Sequence, residues 1–80
     1  MNEQDARAAV LAAITDVAPD IDVDGLDESA RLRQDLELDS LDFLGILERL
    51  AASTGVTTPE EDYGALTTVQ ALTGYIASRA

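Results

Sequence analysis

The chain has 80 residues, enough for one domain (1–80) with a modest core and too few for a deep catalytic cleft that excludes water. Sixteen Asp and Glu stand against five Arg, and the formal net charge is -11. That balance argues against nucleic acid and against an anionic membrane surface, and favours a partner with a basic patch.

Lys, His and Cys are absent, which removes disulfides, thiolate metal sites, cysteine nucleophiles and the commonest general base. Ala and Leu dominate the apolar residues and aromatics are few, so packed helices suit the chain better than a sheet. No apolar run reaches spanning length and no signal peptide precedes the domain, which makes the cytoplasm the expected location.

The spacing of Ala6, Ala9, Val10, Ala13, Ile14 and Val17 predicts an amphipathic helix over residues 3–17. Glu3 and Asp5 suit the positive end of its dipole, and Pro19 closes it. Residues 18–38 form a long acidic connection in which Ile21, Val23, Leu26, Leu32, Leu36 and Leu38 recur. Those apolar residues predict a loop pinned to the core, with a helical turn near Asp27 to Leu32.

A second helix is expected from Ser40 to about Ser53, capped by Asp39 or Ser40 and ended by Gly55. Phe43, Ile46, Leu47 and Leu50 make its core stripe, widened by Leu44 and Ala51. Thr58-Pro59 opens a short helical turn through Glu60, Glu61, Asp62 and Tyr63, with Pro59 at the first helical position. The last helix is expected from Thr68 to about Ser78, with Thr67 and Gln70 as a capping box and Val69, Leu72 and Ile76 buried. Tyr75 belongs at its edge. The expected fold is therefore all-α: a small four-helix bundle of three main helices and one short one.

Three candidate sites stand out. Asp20-Ile21-Asp22-Val23-Asp24-Gly25 opens like a calcium loop, but its twelfth position is Arg31, a cation where a bidentate Glu is needed. No metal ligand set is assigned. Paired carboxylates abound without an apolar cleft to separate their acidities, so a solvated face is the better reading. The third candidate is Ser40 in Asp39-Ser40-Leu41-Asp42. Capping alone asks for no Leu after the serine and no acids on both sides, whereas an exposed hydroxyl at a helix N-terminus suits an anionic attachment.

The run Asp35-Leu36-Glu37-Leu38-Asp39-Ser40-Leu41-Asp42 resembles the D-S-L signature of acyl carrier proteins. Pro59-Glu60-Glu61-Asp62 and Leu66-Thr67-Thr68-Val69-Gln70 resemble the family's third-helix acids and fourth-helix opening, so the likeness spans nearly the whole chain. The resemblance implies a non-enzymatic, monomeric carrier of fatty-acid, polyketide or related biosynthesis. Ser40 would bear 4'-phosphopantetheine, taken from coenzyme A by a separate Mg-dependent phosphopantetheinyl transferase. It also implies docking of acyl-transferring and chain-modifying enzymes through Asp39, Leu41, Asp42 and Glu48. An acyl pocket lined by Ile46, Leu47, Leu50, Tyr63, Leu66 and Val69 would open if the helices separate.

Glu37, Gly45, Glu48 and Tyr63 depart from the family's usual residues: a glycine, an acid, a Met and a small residue respectively. Thr54 and Thr58 stand where apolar residues are expected. A peptidyl carrier would share the fold and arm, but its lead-in to the serine is usually glycine-rich, unlike Glu37-Leu38-Asp39. A helical calcium-binding or interaction module without a prosthetic group is the third reading.

Overall fold

The computed structural model describes all of residues 1–80. The chain is all-helical: α1 (Glu3–Val17), α2 (Ser40–Thr54), a short 3₁₀ helix (Glu60–Ala65) and α3 (Val69–Arg79). It is the expected small bundle with a long connection between its first two helices.

Helix α1 packs against both α2 and α3. Its stripe of Ala6, Val10, Ala13 and Ile14 is buried, with Ala9 and Val17 at the margin. The small alanines let the neighbouring helices come close, while Ile14 with Ile46, Leu50, Leu72 and Ile76 supplies the bulk. One cluster of 14 buried residues joins all three helices with Leu32, Leu38, Val56 and Leu66 from the connections. The loop was thus correctly read as pinned to the core, and it holds hydrogen-bonded turns, one from the Ala30 amide to the Asp27 carbonyl at 3.0 Å where a helical turn was expected.

Those turns have identifiable causes. The Asp27 carboxylate accepts from the Ser29 amide and hydroxyl, each at 2.8 Å, which holds its pKa below the usual carboxylate range. Arg31 forms a fork on Asp35, with Nε to Oδ2 at 3.2 Å and Nη2 to Oδ1 at 3.0 Å. The Arg31 backbone amide adds a third bond to Asp35 at 2.8 Å.

Three expectations at helix starts need correction. Pro59 is the N-cap of the short helix and not its first helical residue. Helix α3 begins at Val69, with Thr68 as N-cap: the Thr68 hydroxyl accepts from the Ala71 amide at 3.0 Å. The Thr67–Gln70 capping box does not form. The long loop takes the donor it needs, because the Gln70 amide donates to the Glu28 carbonyl at 2.8 Å, while the neighbouring Thr67 carbonyl accepts from the Leu32 amide at 2.9 Å. The Val69 amide donates to the Ala30 carbonyl at 3.1 Å, beside an antiparallel bridge between Arg31 and Thr68.

The short helix is tied to α3 by Tyr75, whose hydroxyl donates to Asp62 Oδ2 at 2.8 Å. Partial desolvation and this anionic partner push the Tyr75 hydroxyl's pKa above its ordinary value. The Arg79 guanidinium lies 3.7 Å from the centre of the same ring.

Candidate functional site

The approach to Ser40 is fixed by two buried leucines. Leu32 and Leu38 sit in the core, and the Leu38 amide donates to the Leu32 carbonyl at 3.2 Å, closing a small loop over residues 32–38. Between them, Glu37 takes a left-handed backbone with φ of 57°. That conformation costs a residue with a Cβ on the order of 1 kcal/mol, a cost that a glycine would avoid. The turn delivers Asp39 to the start of α2.

There the capping is complete without Ser40. Asp39 Oδ1 accepts from the Asp42 amide at 2.8 Å, and Asp42 Oδ2 accepts from the Asp39 amide at 3.2 Å. This reciprocal box leaves Ser40 as the first helical residue, exposed, with its hydroxyl in no hydrogen bond. The Ser40 and Leu41 amides have no backbone acceptor either. A phosphodiester on Ser40 would find these donors and the positive end of the α2 dipole beside it. The residues present therefore fit such a group, and Arg33, exposed and in no ion pair, adds a positive charge nearby.

A cleft of about 600 Å³ opens beside Ser40, between α2 and the short helix. Leu32 and Leu66 form its apolar floor, Phe43, Leu44 and Tyr63 its walls, and Arg33, Gln34, Glu60 and Thr67 its polar rim. Phe43 and Tyr63 meet edge to face, with ring centres 5.4 Å apart and planes at 83°.

Of the six residues expected at an acyl pocket, Tyr63 and Leu66 line this cleft. Ile46, Leu47, Leu50 and Val69 lie in the closed core instead, none more than 7% exposed. Leu41 is 78% exposed, the most exposed large apolar side chain of the chain. Asp39 and Glu48 are exposed and Asp42 is half-buried, so all four expected docking residues reach the surface around Ser40 and along α2. Gly45, on the same face, lies against α1: a Cβ there would stand 3.4 Å from Val17 and from Arg49.

Arg33, Gln34, Leu32, Phe43 and Leu44 line the cleft without having been expected there, Phe43 and Leu44 having been placed in the core stripe of α2. The opposite charges of Arg31 and Asp35 were a legible signal for the first two, since the turn they close carries residues 33 and 34 to the side of Ser40. Leu44 followed the core stripe by one residue and faces the cleft while 38% exposed.

A free serine thus stands at a helix start, flanked by acids and an exposed leucine, and opens on a partly apolar cleft of a small helical bundle. The family model described as "Phosphopantetheine attachment site" matches residues 8–76. The chain is also similar to the acyl carrier protein of Rubrobacter xylanophilus, at 30% identity over 73 residues, covering 88% of this chain and 90% of the relative. The chain belongs to the phosphopantetheine-binding acyl carrier protein family. Members of this family are carriers and not enzymes, and their prosthetic group is covalent 4'-phosphopantetheine.

Proposed function

We propose that Ser40 is the residue that takes the arm, and that residues 1–80 act as one carrier domain, a cytoplasmic monomer that delivers acyl groups to biosynthetic enzymes of the fatty-acid, polyketide or a related class. The observation that carries this reading is the division of labour at the start of α2: the Asp39–Asp42 box does the capping, so the Ser40 hydroxyl is exposed and uncommitted. When attached, the arm supplies a terminal thiol that holds an acyl group as a thioester.

The chain's own part is positioning. With no His or Lys near Ser40, deprotonation of the hydroxyl falls to a separate phosphopantetheinyl transferase, which also brings the metal. Asp39 and Asp42 each keep one carboxylate oxygen outside their shared box, available to Arg or Lys of a docking enzyme, and Glu48 extends this acidic face. Leu41 fills an apolar notch at the centre of that contact. The net charge of -11 steers basic partners over distance and weakens in salt.

Incubation with coenzyme A and a broad-specificity transferase adds one phosphopantetheine by intact mass. Ser40→Ala loses the addition completely while keeping the helical circular-dichroism spectrum. Addition that persists in Ser40→Ala, or a wild-type chain left unmodified by several active transferases, overturns the assignment.

A further inference from the structure

The cleft beside Ser40 and the closed core meet at one aromatic pair. Phe43 stands one helical turn beyond Ser40 on α2, and Ile46 and Leu47 follow one turn later. Tyr63 comes from the short helix opposite and meets the Phe43 ring edge to face at 5.4 Å. Both rings are half-buried, packing against the core cluster while lining the cleft. An apolar chain held on an arm from Ser40 that enters the cleft and runs along α2 therefore meets these rings before Ile46, Leu47 or Leu50.

Passing them means breaking an edge-to-face aromatic pair, which stabilises beyond the area it buries. In front of the rings, by contrast, Leu32, Leu44 and Leu66 offer apolar surface with no rearrangement.

We infer that the Phe43–Tyr63 pair sets the length of acyl chain this protein shelters: short chains lie in the cleft beside Ser40, and the rings keep longer ones out of the core. Tyr63 is on this view a specificity-determining residue. The inference rests on the assignment of Ser40 as the attachment point and concerns what the attached arm carries.

The test loads the wild-type chain with acetyl, butyryl, hexanoyl, octanoyl, decanoyl and dodecanoyl arms from the corresponding acyl-coenzyme A. Intact mass verifies each loading, and the rate of thioester cleavage by hydroxylamine is then read. In the wild type, protection relative to acetyl rises to hexanoyl and stays level for longer chains. In Tyr63→Ala the rise continues through decanoyl, by at most about fourfold per methylene, the ratio that corresponds to ~0.8 kcal/mol per buried CH₂.

Two variants separate the ring from a general loosening. Tyr63→Phe keeps the ring and the wild-type plateau. Tyr75→Phe frees the short helix from Asp62 without emptying the pair, and it too keeps the plateau. Protection that climbs steadily to dodecanoyl in the wild type overturns the inference, as does an unchanged plateau in Tyr63→Ala or an extended one in Tyr75→Phe. A chain that takes no arm at all, seen first in the mass, sinks the carrier assignment and the length limit with it.

Discussion

Helices α2 and α3 both begin after acidic connections, yet their N-termini are finished in opposite ways. At α2 the capping is local: two aspartates three residues apart satisfy each other's amides, and the rest of the first turn faces solvent. At α3 it comes from about forty residues upstream, as the carbonyls of Glu28 and Ala30 take the Gln70 and Val69 amides. A helix N-terminus offers only a few free donors. Where the long loop consumes them, nothing remains for a ligand. Where a compact box leaves the Ser40 and Leu41 amides open, an anionic attachment has a place to sit.

If the loop is part of the α3 cap, removing its anchor disturbs the two starts unequally. Leu32 is 1% exposed, and its own amide bonds the Thr67 carbonyl. Leu32→Ala is expected to cost about 2–5 kcal/mol, as truncations of buried leucines do. Denaturant unfolding measures the cost, and native-state hydrogen exchange locates it: protection falls at Val69 and Gln70 more than at Asp42. Equal losses at all three amides would mean that the two caps are not independent.

A pair of cap deletions sharpens the contrast at smaller scale. Asp39→Ala removes the acceptor for the Asp42 amide together with a negative charge at the positive end of α2, and should cost about 1–2 kcal/mol. Thr68→Ala removes only the acceptor for Ala71, since the loop carbonyls still hold Val69 and Gln70, and should cost about 0.5–1 kcal/mol. Thermal unfolding of the two variants side by side decides the order. A larger loss for Thr68→Ala would reverse the view of which start depends on its own side chain.

This difference also explains what could be seen in the sequence. The three long helices were legible because their apolar residues keep helical spacing, and Ser40 was legible because its neighbours are odd for a mere cap. The Asp39–Asp42 box was within reach, lying inside four residues. The Thr67–Gln70 box failed because its competitor for the Gln70 amide, the Glu28 carbonyl, is far away in sequence and carries no motif. Local rules assign local bonds, and they cannot see a distant carbonyl that arrives first. The cleft was half legible for a similar reason. Leu66 and Tyr63 were named, but helical spacing cannot tell Leu47, which points into the core, from Leu44, which faces the cleft.

The smallest expected effect concerns the clip that holds the loop between these two helix starts. The side-chain bonds from Arg31, and then its backbone amide, keep the Asp35 carboxyl below its ordinary 3.8. A carboxyl whose pKa is lowered by folding adds stability that is present above its unfolded value and lost as pH falls through its folded one. In the wild type this contribution is complete at neutral pH and fades below about pH 4. Protonation also relieves the repulsion implied by a net charge of -11, but that relief is nearly the same in a variant lacking one carboxylate, so it largely cancels in a difference. Asp35→Asn should therefore be less stable than the wild type at neutral pH and converge on it in acid. Denaturant midpoints for both chains from neutral pH down to about pH 3 give the comparison, and a gap that stays constant would mean that the clip does not hold the loop through charge.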